Sequence, residues 1–260
     1  MKLGSVLKVA KGDWYIIPRY NEWVTKHRDM ERERDTLVEI MTRPKRVRKG
    51  SFSASGAGQC LRRRQLAFLG LPQKRPNEQT MNIFANGDYV HLRHQVAGLM
   101  DGYLTGAEVS VTKGEHMLTG TMDGVVDDGT LGEYKSINSR GFANITAYGP
   151  KEEHEEQTHS YMLASGLPAA RIVYENKDTQ ELKEFLVPEN PKITAKVVRD
   201  LEQLNEAAIK QELLPMREDC AAGKGAIKQC PYATECPLAK YASQRPKRSI
   251  RVQSSTPNAS

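Results

Sequence analysis

Apolar residues recur along this chain at two periods, and the change between them marks where helices give way to strands. From residue 21 to 41, Trp23, Met30, Leu37 and Met41 fall at helical spacing with charged residues between them, which predicts an amphipathic helix that Pro44 ends. Trp23 and Met30 are read as its packing residues. Ahead of it, Trp14-Tyr15-Ile16-Ile17 reads as a strand or extended arm. Ser53-Ala54-Ser55-Gly56 offers N-cap residues for a helix running through Cys60 to about Leu69. After Pro72 and Pro76 a longer helix is expected over residues 79–100, with His91 and His94 three apart and so able to share a face.

Alternation replaces helical spacing near residues 107–111. It continues over 119–126 and 130–135, two strands joined by the tight turn Asp127-Asp128-Gly129. Pro150 opens a helix whose acidic first turn complements its dipole and which Gly166 closes. Strands are expected at 170–175 and 181–187, then a helix over 192–213 with Ile193, Val197, Leu201, Leu204 and Ala208 on one face. Helices, three strands, a helix, two strands, a helix and a cysteine-bearing end predict an α/β core with a central mixed sheet flanked by helices.

Composition adds limits to this outline. A chain of 260 residues with 38% hydrophobic content can bury a sizeable core, as one large domain or a domain with an appendage. No apolar run reaches membrane-spanning length and the first residues lack the apolar core of a secretory signal, so a cytoplasmic protein is expected. The formal charge of +6 is unevenly placed: residues 40–77 hold ten Lys or Arg, residues 237–260 hold five, and neither stretch has an acid. We divide the chain into an arm, helix and basic linker (1–50), a main domain (51–240) and a basic tail expected to be disordered (241–260). Arg62-Arg63-Arg64 lies among Leu61, Leu66, Phe68, Leu69 and Leu71, a basic face on a folded segment that suits a polyanion such as DNA or RNA.

The hairpin carries the densest chemistry. Glu133 and Lys135 are two apart and share a strand face, and the turn can bring Asp123 close to them. Two carboxylates offer oxygen ligands to a hard divalent cation, and a lysine beside them can orient water or counter phosphate charge. The same pattern also suits a solvated hairpin with outward charges. Glu108, just before the hairpin, is a candidate accessory carboxylate. Of the four cysteines, Cys220, Cys230 and Cys236 lie in a short Gly-containing stretch with little apolar content, and Cys60 is far from them in sequence. Four thiolates suit a tetrahedral zinc or an iron-sulfur cluster if the two ends of the chain meet, and spacing does not separate the two.

Taken in order, these features resemble the RecB-type PD-(D/E)XK exonucleases. They are the Ser-rich turn before Cys60-Leu61-Arg62-Arg63-Arg64, Gly87 to His91, Asp123, Glu133-Tyr134-Lys135, Gln157 with Tyr161, and the terminal cysteine trio. The likeness is nearest to the iron-sulfur branch, which includes CRISPR-associated single-domain exonucleases and related virus-encoded enzymes, and it covers residues 53–238. It implies a restriction-endonuclease-like core with a helical, cysteine-bearing subdomain formed by both chain ends. It implies Mg²⁺ or Mn²⁺ on His91, Asp123, Glu133 and the Tyr134 carbonyl, with Lys135 serving the water and Gln157 and Tyr161 positioning the strand and supporting the lysine. Cys60, Cys220, Cys230 and Cys236 would hold a 4Fe-4S cluster, with zinc as the alternative.

Two features depart from the family pattern: Met122 stands where the family name has proline, and nine residues separate Cys220 from Cys230, a longer gap than usual. The implied activity is exonucleolytic hydrolysis of DNA, single-stranded or with free ends, in recombination, repair or replication. A recombination or helicase partner and a homo-oligomer stay open. A non-catalytic nucleic-acid-binding protein with a four-cysteine zinc site, and a nuclease subunit trimming ends within a recombination or integration complex, are the alternatives. The chain has no Walker-type phosphate loop, so it is not expected to unwind DNA itself.

Overall fold

A computed structural model describes residues 14–26, 29–43 and 50–239; the expected tail at 241–260, Pro44 and most of the basic linker lie outside them. Among the described residues the strands are β1 (Phe52–Ser53), β2 (Leu104–Lys113), β3 (Leu118–Val126), β4 (Leu131–Ile137), β5 (Ala169–Asn176) and β6 (Leu182–Pro188). They form one mixed sheet, in which β3 pairs with β1 (parallel), β2 and β4, β4 runs parallel to β5, and β6 closes the far edge antiparallel to β5. β5 is buried along nearly its whole length, as a central strand covered on both faces must be.

The helices are α1 (Ile16–Thr25), α2 (Met30–Thr42), α3 (Leu61–Phe68), α4 (Glu78–Asp101), α5 (Ser139–Tyr148), α6 (Glu152–Ser165), α7 (Pro191–Lys210) and the short α8 (Glu218–Ala221). Strand alternation divides the core between the two sheet faces. Met122, Leu131 and Ile172 meet Tyr161 of α6 and Val197, Leu201 and Leu204 of α7, the stripe expected for that helix. Tyr134 and Val173 point the other way, into a cluster with Ile16 and Ile17 of α1 and with Tyr103 and Leu104 after α4. α4 starts where the Asn77 side chain accepts the Thr80 N–H at 2.9 Å and stops at Gly102 in the left-handed region. No described helix is long and apolar enough to cross a membrane.

The sequence reading is corrected at four places. Trp14-Tyr15-Ile16-Ile17 leads into a helix, not a strand, because a distant carboxylate does the capping: Glu184 on β6 accepts the N–H groups of Tyr15, Ile16 and Ile17 at 3.0–3.1 Å. The single helix expected at 21–41 is two, since Asp29 caps α2 through the Arg32 N–H, and Met30 and Met41 are exposed while Trp23 is buried. Ser53 ends β1, a 3₁₀ turn follows at Ala54–Gly56, and α3 begins after Cys60. α5 was not expected; Asn138 caps it through the Gly141 N–H, a local signal in the sequence.

Candidate functional site

The site forms where β3 and β4 part. After the turn these strands pair only at Gly124 with Gly132 and Val125 with Leu131. One step further the Asp123 side chain replaces the ladder, its Oδ2 accepting the Tyr134 N–H at 2.9 Å. Asp123 faces α4, where His91 Nδ1 lies 3.1 Å from the same oxygen. Glu133 and Lys135 bond to Gln157 of α6. The register that pairs Gly124 with Gly132 sets Asp123 across from Glu133, and the charge of Asp123 acts on Glu133 where the strands separate.

On the α6 side three groups close a triangle. Lys135 Nζ donates to Glu133 Oε1 at 2.5 Å and to Gln157 Oε1 at 3.1 Å, while Gln157 Nε2 donates to Glu133 Oε1 at 2.7 Å. Glu133 Oε2 is buried and finds no hydrogen-bond partner among the described residues. Burial, and then the charge of Asp123, push the Glu133 carboxyl up to about 7 against the pull of Lys135 and His91. Burial acts on Asp123 in the same sense, but His91, Lys135 and the Tyr134 N–H outweigh it and hold that carboxyl below its ordinary value. Burial opposes charge on Lys135, yet Glu133 and Asp123 raise it above the usual lysine range, so it stands as an ammonium. His91 is likewise raised: burial opposes the proton and Asp123 more than offsets it.

Supporting groups hold this arrangement from α4. Gln95, one turn after His91, donates to the Asp123 carbonyl at 2.9 Å and to Glu108 Oε1 at 2.7 Å. Its spacing of four from His91 was the available sequence signal. Glu108 lies in β2 between the residues paired with Met122 and Gly124, at a left-handed φ of 51°, so strain is concentrated opposite Asp123. His94 does share the sheet-facing side with His91, but it is a core residue: buried, stacked 4.8 Å from Tyr134 and bonded to Glu175 at 3.0 Å.

Other expected site residues are placed elsewhere. Tyr161 is buried against Gly120, where an added Cβ would come within 2.5 Å of its ring. Arg62 and Arg64 are buried and do not form the expected basic face. Arg62 instead ties α3 to the C-terminal segment, donating to the carbonyls of Leu214 and Cys236 and to Cys236 Sγ at 3.2 Å. The C-terminal segment thus packs on α3, with Cys230, Tyr232 and Cys236 clustered on Leu66 and Leu71. Cys220 is raised by burial, by Asp219 and by its neighbour Cys60. Among the described residues, neither these thiols nor the hairpin groups form a ready-made set of three or more His, Cys, Asp or Glu metal ligands. Among the described residues the hairpin carboxylates of Asp123 and Glu133 have the chemistry a hard cation needs, Glu133 being buried with one unpartnered oxygen.

No family model matches the sequence, and no curated protein matches it. Solved structures do resemble the fold. LHK-Exo in complex with dAMP matches with a TM-score of 0.50 and 17% identity, over 63% of this chain and 91% of that one. The alkaline exonuclease LHK-Exo from Laribacter hongkongensis, in a second structure, gives 0.46 and 16% over the same shares. The protein of the crystal structure of SSO0001 gives 0.47 and 19%, over 80% of this chain and 95% of that one. The match to the dAMP complex places this chain in the same α/β fold, a mixed sheet between helical layers.

Proposed function

We propose that this protein is a divalent-metal-dependent deoxyribonuclease, an exonuclease hydrolysing phosphodiester bonds in recombination, repair or replication, alone or within a larger complex. The observation that carries the reading is the Asp123–Glu133 pair with Glu133 Oε2 unpartnered: a buried carboxylate oxygen with no donor among the described residues, beside a second carboxylate, is an open ligand position for a hard cation. Sharing a fold with an exonuclease is consistent with it. Asp123, Glu133 and the Tyr134 carbonyl would hold Mg²⁺ or Mn²⁺, and His91 would join them as a neutral imidazole. When bound, the ion supplies Lewis acidity and a lowered pKa for water.

The chain's own groups do the rest. Lys135, held as an ammonium, is no base; it presents N–H donors to the phosphate and counters charge on the oxygens in the transition state. Gln157 fixes the lysine and Glu133 by one hydrogen bond to each, so neither must reorganise when substrate enters. Tyr161, packed beneath Gly120, sets the position of α6 and hence of Gln157. We further propose that Cys60, Cys220, Cys230 and Cys236 bind a 4Fe-4S cluster, or zinc, between α3 and the C-terminal segment. Burial of Arg62 and Arg64 removes the main support for a purely nucleic-acid-binding role of that segment.

The test is a time course on end-labelled single-stranded and duplex DNA with Mg²⁺, with Mn²⁺ and with a chelator. Nucleotides released with metal and none with chelator is the expected result. Cleavage indifferent to the chelator, or none under any condition, contradicts the reading.

A further inference from the structure

α6 carries a second polar group on the side that bears Gln157. His154, one turn earlier, stacks on Tyr174 with ring centroids 5.6 Å apart, and its Nδ1 lies 2.8 Å from the Tyr174 hydroxyl. Tyr174 pairs with Lys135 in the parallel register of β4 and β5, so both side chains rise from the sheet toward α6. The imidazole thus sits beside the lysine, half-buried at the mouth of the site with 14% of its side chain exposed, close to the 17% of Lys135.

The hydrogen bonds assign the tautomer. The Tyr174 hydroxyl oxygen already accepts the Lys151 N–H at 3.3 Å, and its own proton needs an acceptor. Nδ1 of His154 is that acceptor, and the arrangement satisfies all three groups only if the ring proton is on Nε2. Burial, then Lys135 and Lys151, depress His154 to about 3, so the ring stays neutral at ordinary pH. Among the described residues Nε2–H has no acceptor within hydrogen-bond distance: Glu153 Oε1 stands 3.7 Å away, on an exposed side chain. The fold has therefore fixed a neutral donor beside a cation, with no protein acceptor for it among those residues.

We propose that His154 is a phosphate-binding residue, its Nε2–H donating to a non-bridging oxygen of the phosphate that flanks the one facing Lys135, with Tyr174 as the positioning residue that sets its tautomer. The inference rests on the nuclease reading and narrows it. A neutral donor grips a backbone oxygen without reading a base, so binding should be indifferent to sequence. The exposed Glu153 carboxylate beside it repels the strand.

The experiment compares wild type, His154→Ala, His154→Gln and Glu153→Gln by cleavage kinetics and by anisotropy with a labelled oligonucleotide in Ca²⁺, on strands carrying a neutral methylphosphonate at each position in turn. His154→Ala should raise KM and Kd about tenfold with kcat within about twofold, and His154→Gln, which keeps an N–H donor, should recover most of the loss. Glu153→Gln should tighten binding. One methylphosphonate position should weaken wild type yet leave His154→Ala unaffected. The inference is overturned if the folded His154→Ala protein keeps wild-type KM and Kd, or if every methylphosphonate penalises both proteins equally. If wild type binds but does not cleave, the nuclease reading fails while the loss in His154→Ala still supports the donor. If wild type does neither, both fall.

Discussion

Glu133 is held in a position that its own charge disfavours, and this gives the site a pH signature before any substrate is added. Its native carboxyl titrates near 7, above the ordinary 4.5. A group raised in this way lends stability below its unfolded value and withdraws it as the pH rises through the native one. Metal-free protein should therefore lose thermal stability between pH 5 and pH 8, and Glu133→Gln should flatten that loss while abolishing cleavage. Thermal melts across the range check this. Asp123, held below its ordinary value, acts in the opposite sense and only in acid, so the two windows do not overlap. Mg²⁺ or Mn²⁺ should raise the melting temperature at pH 8 in wild type and not in Glu133→Gln. Much of this site was legible in the sequence, since strand alternation alone places Glu133 and Lys135 on one face. The turn also allowed for the approach of Asp123; what the pattern did not contain is the parting of β3 and β4, where the Asp123 side chain takes the Tyr134 N–H. Arg62 misled for a related reason: its burial is imposed by a segment far along the chain.

At the scale of elements, two contacts set where the helices sit. Gly120 lets α6 approach β3, since a Cβ there would lie 2.5 Å from the Tyr161 ring and 2.8 Å from Ala54 Cβ. Gly120→Ala should cost about 1–3 kcal/mol by chemical denaturation and should lower kcat by shifting Gln157. Glu184, with its side chain fully buried, anchors α1 and pairs with Arg171 at 2.8 Å. Glu184→Gln should cost about 3–5 kcal/mol and speed amide exchange in α1 ahead of the rest of the sheet. The strong periodic elements were readable: β3, β4, β5, β6, α4, α6 and α7 all lie close to their expected spans. α1 was not, because its cap comes from Glu184, far away in sequence, whereas the local pattern at Trp14–Ile17 is that of a buried strand.

Across the whole molecule, α3 and the segment around Cys236, far apart in sequence, close on each other through Arg62. A metal shared by Cys60, Cys220, Cys230 and Cys236 would lock that closure, as structural metal sites do in small domains. Protein purified without oxygen should be brown and carry iron, or be colourless with stoichiometric zinc, and Cys236→Ser should lose the metal and melt at a lower temperature. Protein with neither metal and an unchanged melting curve in Cys236→Ser contradicts the staple. The meeting of the ends was readable as a condition, not as a fact, because cysteine spacing says nothing about where Cys60 lies in space.

The groups gathered where β3 and β4 part are proposed to cleave phosphodiester bonds, and single-turnover cleavage of end-labelled DNA in Mn²⁺ by wild type, Asp123→Asn and Lys135→Met, each checked for folding, decides whether they do. Wild type should release nucleotides and each variant should be slower by about 10²–10³-fold or more. Folded variants that cleave at the wild-type rate, or an inert wild type, would contradict it.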